Sequence, residues 1–175
     1  MTDGCSKTVK RVLWGAALMV WMGVIFYFSS QTGEESSEIS GGITNLVAHL
    51  LWKDYDGLTV LEQTKRLDTL TFLVRKCAHF TEYGVLGFLG SGLLSTWDYP
   101  KHPCRIRIGT AWIFSVLYAV SDELHQYFSD GRSPRIFDVM VDACGAAAGI
   151  GVFFLLAWLV TRLLINKEEK RRKFL

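Results

Sequence analysis

Three stretches of the sequence carry acids, histidines and basic residues at helical spacing. The first holds Arg75, Lys76, His79, Glu82 and Tyr83; the second holds Asp122, Glu123, His125 and Gln126; the third holds Arg132, Arg135, Asp138 and Asp142. Residues three and four apart share one face of a helix, so each stretch presents a polar stripe. Carboxylates and imidazoles provide acid–base chemistry, and arginines bind phosphate in a bidentate manner. The three stretches therefore predict an acid–base centre or a binding site for a charged headgroup.

The first possibility is catalysis. We assign the roles of general acid and base to His79, Glu82, Asp122 and His125, with Arg132 holding an anionic group. The arginines suit an anionic substrate group such as phosphate, and water is the expected nucleophile, because no serine or cysteine lies in a recognised nucleophile motif. The same four acid–base side chains are nitrogen and oxygen donors for a divalent ion. Their spacing matches no zinc signature, so a metal or other cofactor stays an open question.

The second possibility is binding without turnover. The expected ligand contacts come from basic, acidic, amide and phenolic side chains: Arg75, Lys76, Tyr83, Glu123, Gln126, Arg132 and Asp138. The arginines suit an anionic headgroup, and the acids suit a cationic group of the ligand. A third possibility is a structural clasp, in which arginines and aspartates at the ends of helices pair without any ligand. The residue types alone leave these three possibilities open.

Long apolar runs predict the helices that carry these stretches. Half of the 175 residues are hydrophobic and only 21% are charged, which excludes a disordered protein and argues against an ordinary soluble domain. The net charge of +2 gives no support to nucleic-acid binding. We predict an all-α, polytopic membrane protein with a single domain over residues 1–175, a four-helix bundle with spans at about 12–30, 78–97, 106–128 and 139–165.

The distribution of charge predicts the orientation of these spans. With both termini in the cytoplasm, the cytoplasmic segments hold 12 of the 19 basic residues against four acids, and the other side holds seven basic residues against 13 acids. Basic residues concentrate on the cytoplasmic side of membrane proteins. We therefore predict a cell-membrane protein with cytoplasmic N- and C-termini and a basic tail at 166–175 that lies against anionic lipids. All three polar stretches then face the outer leaflet.

The segment at 31–77 is the predicted outer-side connection, part helix and part loop, between the first two spans. Its polar start, SSQTGEESSEIS, predicts turns. A short interfacial helix is predicted at 43–52, and leucines at helical spacing over 58–74 predict a helix that continues into the second span. Five glycines recur at helix-packing intervals and indicate tight packing within the bundle: Gly84, Gly87, Gly90, Gly145 and Gly149.

Three segments closely resemble the VanZ-like membrane proteins. They read FSSQTGEESSEIS, KCAHFTEYGVLGFL and SDELHQYFSDGRSPRIFDVMVDACGAAAG. The family pattern is a Lys-x-x-His-x-x-Glu-Tyr element, an Asp-Glu-x-His-Gln element, and an arginine in a turn followed by an aspartate and a small-residue helix. This sequence carries the three elements in order at 76–83, 122–126 and 132–138, within a resemblance that covers roughly residues 12–155. Asp142 stands where many members have asparagine, and its role is open.

The resemblance implies a multi-pass protein of the cell envelope. Founding members of the family are associated with reduced susceptibility to teicoplanin, a glycopeptide with a lipid tail. The resemblance implies no particular reaction. On this basis we expect the polar site to bind a lipid or lipoglycopeptide headgroup. The alternative is a hydrolase or transferase that acts on a lipid-linked phosphate or cell-wall precursor by acid–base chemistry, with or without a metal ion. Membrane lipids are the expected partners, and the sequence leaves the oligomeric state open.

Overall fold

The chain is built from helices over the residues that the structure describes. The structure is a computed structural model, and it describes residues 2–97, 104–128 and 135–173. Within these ranges it has no β-strand and contains α1 (Thr2–Ser29), α2 (Gly33–Leu51), a 3-10 turn (Tyr55–Gly57), α3 (Val60–Ser95), α4 (Cys104–Tyr127) and α5 (Ile136–Lys173). The prediction of an all-α chain is confirmed. Arg132, one of the predicted site residues, lies outside the described ranges.

Two of the helices are long and apolar enough to cross a membrane. They cover Gly4–Ser29 in α1 and Ile136–Arg172 in α5, with mean hydropathies of 1.8 and 2.2. Large apolar side chains on both helices face outward, as Val20 and Leu163 do, each 68% exposed. Apolar surface of this kind is unfavourable in water and compatible with lipid. The two helices therefore indicate that the chain associates with a membrane.

The predicted spans coincide with helices of the structure. The spans at 12–30 and 139–165 lie on α1 and α5, and those at 78–97 and 106–128 lie on the second half of α3 and on α4. α5 also continues through most of the basic tail, as far as Lys173. This extension has a local reason, because lysine, arginine and glutamate are strong helix formers.

The polar start of the outer segment is helical, so the prediction of turns there was wrong. α2 begins directly after Thr32, whose hydroxyl accepts a hydrogen bond from the backbone N–H of Glu35 at 3.3 Å. The Glu35 carboxylate in return accepts a hydrogen bond from the backbone N–H of Thr32 at 2.9 Å. This capping box satisfies the first backbone donors of the helix and offsets the low helix propensity of the serines that follow. The predicted helix at 43–52 is the second half of α2.

α3 is the central helix of the fold. It begins after Thr59, which forms a second capping box with Glu62, and it runs without interruption into the region of the second span, as the leucine spacing predicted. The hydrogen bonds from the side chain and backbone of Thr59 lower the pKa of the Glu62 carboxyl, which stays charged at the positive end of the helix dipole. α3 packs against α1, α2, α4 and α5, so it positions most of the polar side chains.

Glycines bring α3 and α5 into direct backbone contact. A Cβ atom at Gly84 would lie 3.4 Å from the carbonyl oxygen of Gly145, and one at Gly149 would overlap the carbonyl of Gly84. A Cβ atom at Gly87 would overlap the backbone of Ala146. We call the contact formed by these four glycines the glycine seam. The predicted tight packing is confirmed at these positions, since backbones approach this closely only where side chains are absent.

Contacts between helix ends define the two ends of the bundle. At one end, the guanidinium of Arg11 on α1 donates to the carbonyl of Thr96 at 3.4 Å and lies 5.7 Å from the ring centroid of Trp97. At the other end, the hydroxyl of Ser30 lies 3.1 Å from Nε2 of His125 on α4. Between these ends, Nε1 of Trp21 on α1 donates to the carbonyl of Glu82 on α3 at 2.8 Å, so α1 and α3 are antiparallel. The end of α1 therefore lies beside the predicted polar group. We call this second end the site end.

Candidate functional site

Two pairs of polar side chains connect α3 to α5 at the site end. The ammonium of Lys76 donates to the carboxylate of Asp138 in a salt bridge whose side chains are only 16% and 15% exposed. One turn along both helices, Nδ1 of His79 lies 3.6 Å from Oδ1 of Asp142. Lys76 and His79 share a face of α3, and the two aspartates share a face of α5. The first and third polar stretches of the sequence therefore meet across this helix pair.

Asp142 is almost completely buried, with 1% of its surface exposed. It lies one turn before Gly145, the first α5 residue of the glycine seam. Its Oδ1 atom makes no hydrogen bond with the described residues, and its ion-pair partner among them is His79. An unpaired carboxylate buried away from water is strongly destabilising. The imidazole of His79 therefore stabilises this aspartate, whose role the sequence left open.

α4 contributes two buried carboxylates with different partners. Asp122 accepts a hydrogen bond from the side-chain amide of Gln126 at 3.1 Å, one turn further along the same helix. Glu123 accepts a hydrogen bond from the backbone N–H of Arg135 at 2.9 Å, directly before α5 begins. Asp122 is therefore held by its own helix, whereas Glu123 ties the end of α4 to the start of α5.

Tyr83 is the largest fully buried side chain among the described residues. Its ring centroid lies 6.4 Å from that of Tyr118, whose hydroxyl donates to the carbonyl of Met22 at 2.8 Å. The hydroxyl of Tyr83, in contrast, makes no hydrogen bond with any described residue. Buried polar groups in proteins are normally hydrogen-bonded, and those without a protein partner mark places where water or ligand groups bind.

His125 lies at the site end with its own set of contacts. Its ring stacks on Phe26 at a centroid distance of 4.6 Å, and its Nε2 atom lies 3.1 Å from the hydroxyl of Ser30. Both partners belong to the end of α1. The contacts of His79, in contrast, are with α5. The structure therefore places the two predicted acid–base histidines in separate surroundings.

A cavity of about 210 Å³ lies between α1, α2, α3 and α4 at the site end. Four of the predicted site residues line it: Arg75, His79, Glu82 and Gln126. Among them, Arg75 makes no ion pair with a described side chain, whereas the neighbouring Lys76 forms a salt bridge with Asp138. Over the described part of the chain, no three His, Cys, Asp or Glu side chains are arranged to hold a metal ion. The cavity therefore offers a guanidinium together with acidic and imidazole groups.

The rest of the cavity wall comes from residues that the sequence did not single out. Ser29 ends α1, while Ser36, Ser40 and Ile43 belong to α2. The inner face of α2 repeats small or hydroxyl-bearing residues every four positions, at Ser36, Ser40, Thr44 and Ala48. Of these, the last three are buried. This spacing was a usable signal for a helix that packs on α3, but the prediction of turns over 29–40 concealed it.

Comparison with known protein families identifies the chain. The family model described as VanZ/LLP1 matches residues 14–158, a range that contains every predicted site residue. The chain therefore belongs to the VanZ/LLP1 family, and the resemblance carried by the three sequence segments is confirmed. No curated protein matches the chain, and no solved structure matches it.

Proposed function

We propose that this protein crosses the cell membrane four times and binds, in the cavity at its site end, the anionic headgroup of an acyl-chain-bearing molecule in the outer leaflet. A membrane lipid and a lipid-tailed glycopeptide both have this chemistry. The observation that carries the proposal is the position of Arg75, a guanidinium without an ion-pair partner among the described residues in a cavity that also has apolar walls.

The dimensions of α3 and α5 support the four-span arrangement. At 1.5 Å per residue, His79 and Thr96 are about 26 Å apart along α3, and Asp142 and Arg162 are about 30 Å apart along α5. Both distances match the hydrocarbon core of a bilayer, which is ~30 Å thick. The site residues then lie at one membrane surface, and Arg11, which contacts Thr96, lies at the other.

The basic residues support the orientation of the chain. The end of the bundle opposite the site carries described basic side chains from α1, α4 and α5: Lys7, Lys10, Arg11, Arg105, Arg107, Arg162, Lys167, Lys170, Arg171 and Arg172. Because basic residues concentrate on the cytoplasmic side, both termini are cytoplasmic in this proposal, and the cavity opens toward the outer leaflet.

The lining of the cavity suits a molecule with two unlike parts. Arg75 provides a planar guanidinium, which pairs with phosphate or carboxylate through two parallel hydrogen bonds. Phe28, Ile43 and Val74 provide an apolar wall for the first carbon atoms of an acyl chain. At the surface of a bilayer these two environments meet, and so do the headgroup and the chains of a lipid.

A pair of charge-matched variants tests this proposal. Arg75→Gln removes the cavity guanidinium, and Lys65→Gln removes a positive charge from an exposed position on the same helix. The affinity of the purified protein for dihexanoyl phosphatidylglycerol should fall about 10- to 100-fold in Arg75→Gln, the loss expected for a hydrogen bond to a charged group. Lys65→Gln should bind like the parent. If purified, folded Arg75→Gln binds the lipid with the same affinity as the parent, the proposal is wrong.

Drug susceptibility provides the second readout for the lipid-tailed glycopeptide. In a host where the parent protein shifts susceptibility to teicoplanin, the Arg75→Gln variant should lose the shift and the Lys65→Gln variant should keep it. If the parent protein binds the lipid but shifts teicoplanin susceptibility in no host tested, the ligand of the cavity is a membrane lipid alone.

A hydrolase or transferase acting on a lipid-linked phosphate is the second candidate function. One observation favours it, namely the buried pair of His79 and Asp142 at the cavity wall, since an imidazole backed by a carboxylate is a common general base. The variant Glu82→Gln separates the two candidates. Catalysis predicts that the parent releases phosphate or product, and that this variant still binds ligand but releases none. Binding alone predicts no product from the parent and a graded loss of affinity in the variant.

A further inference from the structure

His79 lies where the cavity at the site end meets the contact between α3 and α5. Nδ1 of His79 is buried and makes no hydrogen bond with the described residues, and the same holds for Oδ1 of Asp142. These two atoms lie 3.6 Å from each other across the contact between α3 and α5. The histidine ring also lines the cavity. Nδ1 therefore faces Asp142 on α5, and the same ring forms part of the cavity wall.

The short distance between these atoms restricts where the imidazole carries its proton. A neutral imidazole has one N–H donor and one nitrogen lone pair. A lone pair on Nδ1 would face the lone pairs of the Asp142 carboxylate at close range in a buried environment, which is repulsive. A proton on Nδ1 instead faces the carboxylate with a favourable charge. With Asp142 ionised, Nδ1 carries a proton whether the ring is neutral or charged, and gain or loss of a proton takes place at Nε2.

We propose that Asp142 is a positioning residue that keeps Nδ1 of His79 protonated, so that Nε2 faces the cavity as an acceptor for a hydroxyl of the bound headgroup. The second part of this proposal rests on the proposed function, and it narrows the ligand to a hydroxyl-bearing anionic headgroup. Arg75 binds the anionic group, and Nε2 of His79 accepts a hydrogen bond from the hydroxyl. Asp142 makes no contact with the ligand in this arrangement.

Nuclear magnetic resonance of the ligand-free protein tests the first part. Protein labelled with ¹⁵N-histidine is measured in lipid nanodiscs, and the His79 signals are assigned by their loss in His79→Gln. At a pH where the ring is neutral, the expected parent spectrum shows the proton of His79 on Nδ1 and a bare Nε2. A parent spectrum with the proton on Nε2 overturns the proposal, and this result needs no Asp142 variant to fold.

Two substitutions of Asp142 then test the cause. Asp142→Leu removes the acceptor, and the proton of His79 should move to Nε2, the form that free histidine favours. Asp142→Asn keeps an oxygen acceptor without the charge, and it should retain the proton on Nδ1. Asp68→Asn, an exposed change of equal charge on α3, should leave the spectrum unchanged. An unchanged His79 spectrum in folded Asp142→Leu would show that another group controls the ring.

A matched pair of lipids tests the second part. Dihexanoyl phosphatidylglycerol and dihexanoyl phosphatidylmethanol carry the same charge, but only the first has hydroxyl groups. The parent should bind phosphatidylglycerol about 10-fold more tightly, His79→Phe should lose that preference, and Arg75→Gln should weaken both lipids. Equal binding of the two lipids by the parent overturns the hydroxyl assignment. If neither lipid binds, the proposed function fails, and the resonance measurement still decides the role of Asp142.

Discussion

The site end and the glycine seam occupy neighbouring stretches of α3 and α5, and opposite kinds of contact form them. In the seam, backbone atoms of Gly84 and Gly149 meet directly, with no space for a side chain. At the site end, the long polar side chains of Lys76 and His79 bridge the same two helices to aspartates. The contacts that fix the packing of the two helices and the polar side chains that could bind or react therefore lie in different stretches of the same helices. The seam fixes the distance between the helices, and the site residues one turn away are held in place by it.

The largest effect should follow from adding a methyl group to the seam. In Gly149→Ala the new Cβ atom overlaps the carbonyl of Gly84, and backbone cannot move aside as a flexible side chain can. We expect a destabilisation of about 3 kcal/mol or more, or failure to accumulate. Gly151→Ala, on the same helix with open space around it, should be neutral or stabilising by up to about 1 kcal/mol. Thermal unfolding of the purified proteins measures both, and equal melting temperatures would show that the helices are not in backbone contact.

Removing one partner of the Lys76–Asp138 salt bridge should have the next largest effect. Lys76→Met leaves the carboxylate of Asp138 mostly buried and unpaired, which should cost about 1–3 kcal/mol. Adding Asp138→Leu should restore much of the stability, because an apolar pair can replace a buried ion pair. Denaturation of both single variants and the double variant gives the coupling energy. A coupling energy near zero would mean that the two side chains do not interact in solution.

Two tyrosine-to-phenylalanine variants sharpen the contrast between satisfied and unsatisfied polar groups. Tyr118→Phe loses a hydrogen bond to the carbonyl of Met22 and should be destabilised by about 1 kcal/mol. Tyr83→Phe removes a hydroxyl that bonds to no described residue, so its stability should change little. Chemical denaturation of the two variants in the same detergent measures the difference. If Tyr83→Phe is the more unstable of the two, its hydroxyl has a structural partner.

The smallest effect should come from the capping box at the start of α3. The pKa of Glu62 is lower in the folded chain because of its hydrogen bonds from Thr59, so the charged carboxylate stabilises the fold at neutral pH. This stabilisation is lost as the pH falls through the folded pKa. The melting temperature of Glu62→Gln should therefore lie slightly below that of the parent at neutral pH and should approach it in acid. A gap that widens in acid would contradict this assignment.

Much of the fold could be predicted from the sequence because it depends on local patterns. The apolar runs of α1 and α5 and the leucine spacing before the second span are properties of single segments, and the structure has helices at each. The start of α2 was mispredicted because serine, threonine and glycine, which dominate this segment, have low helix propensity. The capping box between Thr32 and Glu35 outweighs that propensity. It depends on hydrogen bonds between two particular residues, which the composition of the segment does not reveal.

The residues of the site could be predicted from the sequence, but which of them contact each other could not. Helical spacing identified the faces that carry His79 and Asp142, and the positions of the spans put them near one depth. Their pairing depends on how α3 and α5 are rotated against each other, which the glycine seam determines. The ring of His125 stacks on Phe26, because α1 also packs at the site end, and no pattern within either helix encodes that contact.

The separation of α3 and α5 along the chain has a consequence for biosynthesis. α3 ends at Ser95, and α5 begins at Ile136. At the usual rate of elongation, the second half of the glycine seam leaves the ribosome roughly 3–12 s after the first, because about 60 residues separate Gly84 from Gly145. Until then, Lys76 and His79 have no aspartate partner on α5. A chain interrupted before α5 is therefore left with exposed glycines and unneutralised charges, features by which membrane quality control can distinguish unfinished copies from complete ones.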